Sequence, residues 1–345
     1  MKSYNRSLVI MAGMLILTLI INGCEKQGVE QKVNKQIRLL KHDSYKVRNS
    51  AALALGKIGP QTKEVVPALI QALKDDFGPR SAAATALGEI GPEAKEAIPA
   101  LIQALKDEDK WLRERAAGAL GEIGPDAKDG VPALVEALKN NNDGVRQYAA
   151  EALGQIGPDA KQAVPALAQT LKDESWVTRC SVAKSLGLIG PDAKDGVPAL
   201  VEALKDENIN VRRYAAGALG QIGSNAKEAV SALVQALKDN NDGVRRYEER
   251  WLRPKKEDGP SRLRRSIVEA LGRIGPEAKE AVPLIVRSLK DDYDPNVRVA
   301  AAEALGEIGS EATEAVSALV EALEDYDSEV GQRAAKALKK IKGEF

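Results

Sequence analysis

Histidine occurs once, at His42, and cysteine twice, at Cys24 and Cys180. A site built from several His ligands is therefore excluded, which removes most zinc and non-haem iron chemistry. Two cysteines so far apart suggest neither a disulfide framework nor a thiolate metal site. Aromatic residues make up 3% of the chain, so any core must be built from Ala, Leu, Val and Ile. Net charge is missing too: 50 basic residues cancel 50 acidic ones. That argues against a protein whose main task is holding nucleic acid, which needs excess positive charge along one face. Phosphate-binding loops are not evident, because the recurring Gly pair ends helices and follows no strand. The turns 140–144 and 239–243 are similar to calcium loops, but with Gly144 or Gly243 at loop position six, Lys139 or Lys238 falls where a carboxylate is required. Neither a cofactor, a metal nor a small-molecule substrate is expected, and the chain reads as a non-enzyme.

What is present is a repeat. The segment Val-Arg-x-x-Ala-Ala-x-Ala-Leu-Gly-x-Ile-Gly has its clearest copies starting at Val47, Leu112, Val145, Val211, Val297 and Val330. Its first Gly falls at Gly56, Gly88, Gly121, Gly154, Gly187, Gly220, Gly272 and Gly306, with gaps of 32, 33, 33, 33, 33, 52 and 34 residues. A fixed period of this size marks a solenoid, in which each unit buries its apolar face against its neighbours. In the unit from Gly157 to Gly190, residues from Pro158 open a helix A that settles or kinks at Pro165, since Pro is tolerated only in a first turn. Val164, Leu167 and Leu171 form its apolar stripe. A turn at 172–175 leads to helix B, from about Thr178 to Ile189, which Gly190 ends. The Gly inside helix B costs about 1 kcal/mol relative to Ala, so its recurrence predicts close approach of a neighbouring helix. Asp173 precedes Arg179 by six residues, and Asp107 with Arg113, Asp206 with Arg212 and Asp239 with Arg245 repeat the pair; Asn140 with Arg146 is a variant. A register of arginines could meet nucleic acid. The favoured reading is a ladder, each Arg bridging an Asp or turn carbonyls of its own or the next unit.

These motifs, with Leu-Gly-x-Ile-Gly-Pro and Val-Pro-Ala-Leu-Val/Ile-x-Ala-Leu-Lys-Asp, resemble HEAT-like repeats, particularly the subtype also seen in phycobilisome lyases. The resemblance spans about residues 31–342. It implies an all-α fold, an α-solenoid of about nine HEAT-like helix pairs with B helices lining a concave side. The solenoid is expected over 31–345, with residues 330–345 as a terminal cap and a basic insertion at 244–262 in the seventh unit. There helix B is expected to start at Val244, stop at Pro254 and resume at Leu263.

Comparison among units separates scaffold from candidate site. Counting from the first residue of the B-helix motif, positions 3, 7 and 11 vary and share one stripe. They supply Glu114 and Glu122 in unit three, Glu151 in unit four, Arg213 in unit six, and Arg265 and Arg273 in unit seven; position 4 adds Tyr148 and Tyr214. The stripe runs from acidic to basic, and Tyr and Arg are frequent interface anchors. The insertion contributes Arg246, Tyr247, Trp251, Arg253, Lys255 and Lys256 as a second candidate surface, for an acidic partner or an anionic surface. The plainer readings are a solvated helix face and a tolerated loop insertion. Trp111 and Trp176 are expected to cover grooves between units.

Residues 1–23 lie outside the repeat. Lys2 and Arg6 precede an apolar run from Leu8 to Ile21, too short to span a bilayer comfortably. Gly23-Cys24 follows. The segment resembles a bacterial lipoprotein signal peptide, which implies acylation of Cys24, a short linker over 24–30, and an exported chain anchored on the periplasmic side or cell surface. Multiple acyl chains anchor stably at about 0.8 kcal/mol per buried CH₂. The expected function is a lipid-anchored scaffold or adaptor that binds another protein and no nucleic acid. A bilin lyase or isomerase-type protein is the alternative that the repeat subtype implies.

Overall fold

A computed structural model describes residues 28–59, 63–75, 78–248 and 259–343. The expected signal peptide, Cys24, Trp251, Arg253, Lys255 and Lys256 lie outside them. The described residues form nine pairs of α-helices and contain no strand. The first helices of the pairs are α1 (28–39), α3 (Val65–Lys74), α5 (Ile98–Ala104), α7 (Val131–Ala137), α9 (Val164–Thr170), α11 (Val197–Ala203), α13 (Val230–Glu248), α15 (Val282–Asp291) and α17 (Val316–Glu321). The second helices are α2 (Tyr45–Ile58), α4 (Arg80–Ile90), α6 (Lys110–Ile123), α8 (Asp143–Ile156), α10 (Trp176–Ile189), α12 (Ile209–Ile222), α14 (Gly259–Ile274), α16 (Pro295–Ile308) and α18 (Ser328–Lys342). Two compact units are distinguished, one ending at Ile123 and one beginning at Gly124. Within the first, α2 packs on α4 and α4 on α6. Within the second, α8, α10, α12, α14, α16 and α18 each pack on the next. The fold is an all-α helical-repeat solenoid.

Local sequence explains the pairing. Each B helix ends on a Gly at positive φ, as at Gly157 (φ 75°), a conformation that costs Gly nothing sterically. After α4, α6, α8, α10, α12, α14 and α16, the seven residues from that Gly on, such as Gly157–Ala163, form a 3-10 turn rather than the first turn of helix A. The positive-φ Gly and backbone excursions such as Ala193 at ψ 17° break the α pattern. Helix A proper starts one residue before the second Pro, so Pro165 sits where an N–H has no intrahelical acceptor. The core is Ala, Leu, Val and Ile: Ala149, Leu153, Ile156, Leu167, Val182 and Leu186 are fully or almost fully buried.

The recurrent Gly of helix B lies at the seam between adjacent B helices. A Cβ on Gly154 would fall 2.8 Å from the Ser185 Cα, one on Gly220 2.9 Å from the Ala270 Cα, and one on Gly272 2.7 Å from the Ala304 Cα. Real Cβ atoms do not approach so closely, and the opposing residue is always small.

The seventh unit departs from expectation. No turn occurs at 239–243 and no B helix starts at Val244; α13 runs unbroken for 19 residues, from Val230 to Glu248. Asp239 accepts from Gln235 Nε2 at 2.7 Å and Asn240 donates to the Ala236 carbonyl at 2.7 Å, both one helical turn away. These side chains serve the helix instead of capping a turn. The extra chain length lets the true B helix start later, and α14 opens at Gly259, ahead of the expected Leu263. The insertion thus extends helix A, with the backbone of Arg246 and Tyr247 in α13. At the far end, Gly343 closes α18 in the left-handed region (φ 71°, ψ 21°), with Lys339, Lys340 and Lys342 in the last turn, where cations complement the helix dipole.

Candidate functional site: the exposed face of the B helices

A ladder of ion pairs fixes the register of this face. Arg146 donates Nε and Nη2 to the two Asp173 oxygens at 2.6 and 2.9 Å, while Nη1 reaches the Asn140 carbonyl of its own turn at 2.9 Å. Arg179 repeats this with Asp206 (2.7 and 2.9 Å) and the Asp173 carbonyl (2.8 Å). Arg298 does so with Asp325 (2.8 and 2.9 Å) and the Asp292 carbonyl (2.9 Å). Arg80 reaches Asp107 at 2.6 Å, and Arg264 forks onto Asp292 at 2.7 and 3.0 Å. A planar guanidinium suits this bidentate geometry. Each aspartate also accepts a backbone N–H two residues on, as Asp173 from Ser175 at 2.9 Å. Burial pushes the Asp173 carboxyl up, but hydrogen bonds from Arg146 and the Ser175 N–H, with the charges of Arg146 and Arg179, outweigh it and hold the group below its ordinary value. The ladder is the bridging arrangement favoured by the sequence. Its Arg residues are engaged in stacking the units. Where α13 replaces the turn, the ladder stops: Arg212 bonds the Asp206 and Glu207 carbonyls of its own turn, while Asp239 faces Gln235.

In units three to six, exposure along the variable stripe rises from position 3 to position 11, whereas in unit seven Arg265 at position 3 is already exposed. Glu114 is buried, at 7% exposure, whereas Glu122, two turns later on the same face, is exposed. Glu114 is therefore not a surface contact, a correction that follows from the packing around it in α6. Cys180, also at position 3, is buried as well, and burial pushes its thiol up to about 11, with Arg213 opposing. A neutral buried thiol is unreactive. The Glu122 carboxylate lies over Gly88. Burial first, then the charge of Glu89, push it above the ordinary carboxylate range against Arg115.

The remaining candidates fall into small groups. Gln147 donates to Glu151 at 3.0 Å, and Ser181 of the next helix donates to the same oxygen at 2.9 Å. Tyr148 is half-buried beside them. Arg213 stacks over the Tyr214 ring at 4.5 Å. Arg265 pairs with Glu269 at 2.7 Å. Arg273 is exposed and contributes to the surroundings of Glu307. Burial raises the Glu307 carboxyl, Lys340 and Arg273 lower it, and Glu303 and Glu269 raise it. Arg213, Arg265 and Glu269 meet around a pocket of about 260 Å³ that Arg262, Ser266 and Asn296 also line. Arg262 and Asn296 were missed in the sequence, although they precede positions 3 of their helices by one helical turn. Leu188, 42% exposed at position 11 where other units carry polar residues, is legible by the same comparison. Trp111 and Trp176 are 56% and 47% exposed, more open than groove covers would be; Lys110 Nζ sits 4.9 Å from the Trp111 ring.

Among the described residues, no three His, Cys, Asp or Glu side chains are grouped to hold a metal ion, and no helix is long and apolar enough to cross a membrane.

The family described as HEAT repeats matches residues 66–145, 98–168, 131–195, 164–253 and 249–339. The PBS lyase HEAT-like repeat matches residues 47–75. No curated protein matches the chain. Among solved structures, an engineered protein is similar at 27% identity and a TM-score of 0.59, over 90% of this chain and 88% of its own. The Kap95:Nup1 complex contains a chain similar at 16% identity and a TM-score of 0.64, over 90% of this chain and 46% of its own. The complex of CpcE and CpcF of phycocyanin lyase from Nostoc sp. PCC7120 aligns at 28% identity and a TM-score of 0.42, over 68% of this chain and 93% of its own.

Proposed function

The chain belongs to the HEAT-repeat family, and on that premise we propose that it is a non-enzymatic scaffold or adaptor that binds another protein, exported and held at the bacterial cell envelope by lipid on Cys24. The observation that carries the binding role is the contrast on the B helices. Ladder and seam positions repeat from unit to unit, while Tyr148, Glu151, Arg213, Tyr214, Arg265 and Arg273 vary on an exposed or half-exposed face. A rigid backbone with a row of unlike polar and aromatic groups suits recognition of an extended partner. The anchor rests on the basic start, short apolar run and Gly23-Cys24 of the sequence.

Cell fractionation of the wild type and Cys24→Ser, with mass spectrometry of the mature N-terminus, tests the anchored part. An acylated Cys24 in the membrane fraction, lost in the variant, is expected. A soluble chain that keeps Met1 would overturn it. One observation favours a second reading, a bilin lyase or isomerase-type protein: the match of residues 47–75 to the PBS lyase HEAT-like repeat. Co-production with a bilin and an absorbance spectrum of the purified chain separates the two, because only the lyase reading expects bound chromophore.

A further inference from the structure

Helix A of unit five breaks a pattern that the other units keep. In register with its Ala168, every other unit carries Val or Ile: Ile37, Ile70, Ile102, Val135, Val201, Val234, Val286 and Val320. Ala168 lines a groove between α9 and α11, together with Leu171, Ala199 and Ala203, and this groove holds about 800 Å³. The groove in the same place between α3 and α5, over Leu73, Ala100 and Ala104, holds about 440 Å³. There Ile70 stands in the Ala168 position. The smaller Ala side chain gives up apolar cover and leaves a notch that an apolar group from outside can fill.

The lips of the groove decide what fits. Gln169 and Lys172 stand on the α9 side and Glu202 and Glu207 on the α11 side, and all four are exposed. A small molecule is enclosed over most of its surface in its site. An open groove between two helices suits a segment of chain that continues past it. The two lips also differ in sign. On the α11 side, Glu202 is tied to Lys205 at 3.2 Å. Glu207 is 89% exposed, and its one ion pair among the described residues is 3.4 Å long, to Arg179. That guanidinium already forks onto Asp206 at 2.7 and 2.9 Å. The Glu207 carboxylate therefore keeps acceptor capacity for a cation from outside, while Lys172 on the opposite lip keeps such a cation to the α11 side. An exposed pair of this kind adds little affinity. It sets orientation, and the apolar contact over Ala168 supplies the anchor.

We infer that the groove between α9 and α11 docks a segment of the partner protein that seats a bulky apolar side chain over Ala168 and places a Lys or Arg beside it, against Glu207. The inference rests on the scaffold reading and adds a contact surface on the A helices, apart from the B-helix face.

The test pans a phage-displayed library of random twelve-residue peptides on the full chain, with counter-selection on Ala168→Ile. That variant installs the residue of units two and three, and circular dichroism checks its helical content; Ala168→Val replaces it if it does not fold. The recovered peptides are expected to share a bulky apolar residue next to Lys or Arg. A fluorescein-labelled copy of the most frequent peptide, followed by anisotropy, should bind wild type and Lys194→Gln equally, Ala168→Ile about tenfold more weakly, and Glu207→Gln severalfold more weakly. No peptide that distinguishes the two chains, peptides without a basic residue, or undiminished affinity for either groove variant would overturn the inference. So would self-association of wild type that Ala168→Ile abolishes, which gives the groove to a second copy, or a small molecule that mass spectrometry finds on wild type and not on Ala168→Ile. Photo-cross-linking amino acids at Gln169 and at Tyr214, in the protein's own cells, separate the groove from the scaffold reading. Capture at Gln169 that Ala168→Ile abolishes supports the groove. Capture at Gln169 that survives the variant, or capture at Tyr214 alone, removes the groove and leaves the scaffold; capture at neither removes the scaffold.

Discussion

A single hydrogen atom decides the seam residues. At Gly154, a methyl group gains about 1 kcal/mol of helix propensity but meets the Ser185 Cα at 2.8 Å, and overpacking of this kind costs about 1–3 kcal/mol. The clash is with backbone, which cannot rotate away, so it wins. Gly217 lies in α12 with nothing within 4 Å of its hypothetical Cβ. Thermal unfolding is therefore expected to show Gly154→Ala destabilised and Gly217→Ala stabilised, the latter by about 0.5–1 kcal/mol. The repeat in the sequence already pointed to a close approach at the first Gly. It carried no hint that Glu114 and Cys180 are buried, because position 3 and position 11 share a face and only packing distinguishes the two ends of a helix.

The ladder aspartates give a pH signature at the same scale. Asp325, like Asp173, is pushed up by burial but held below its ordinary value by hydrogen bonds from Arg298 and the Asp327 N–H and by the Arg298 charge. A carboxyl whose folded pKa is depressed stabilises the fold above its unfolded value, about 3.9, and that contribution is lost as pH falls from there through the lower folded value. Melting temperature should thus fall more steeply below about pH 4 in wild type than in a Asp173→Asn, Asp325→Asn double variant. Parallel curves would show that the rungs do not couple to protonation.

At the scale of elements, the 3-10 turns and α13 are where chain and expectation part. Gly-Pro openings were legible as boundaries, but the choice between an α and a 3-10 turn rests on backbone angles such as those of Ala193 that no composition signals. In unit seven the Asp-Asn-Asn-Asp-Gly string differs only at its first residue from the unit-four turn 140–144, where Asn142 does cap α8 by accepting from Val145 N–H at 3.0 Å. The same residue types lie inside a helix at 239–243 because the following chain is long enough to let α14 begin later. Asp239→Pro separates the two arrangements: inside a helix it removes a hydrogen bond and clashes with the preceding turn, costing about 3 kcal/mol, whereas a turn would accept it. Loss of stability and of helical ellipticity is expected.

For the molecule as a whole, the stack behaves as a sum of units and nearest-neighbour contacts. Removal of residues 157–189 takes out one full period and brings Arg146 into register with Asp206 and Gly154 opposite Ala218, the partners that Arg179 and Gly187 have now. That shortened chain should fold and melt cooperatively; removal of residues 157–172 alone should not give a folded chain. Fold class and the number of helix pairs were legible because every unit repeats the same solution. The candidate surface was legible only as the set of positions that break the repeat, and its grouping around Arg213 needed the pocket geometry. The most direct test of the account is a photo-cross-linking amino acid at Tyr214 of the full-length protein in its own cells, with and without Arg213→Glu. The account predicts a discrete cross-link to one envelope protein that the charge reversal abolishes while the chain stays folded; a Tyr214 position that captures nothing, or captures equally in both, would contradict it.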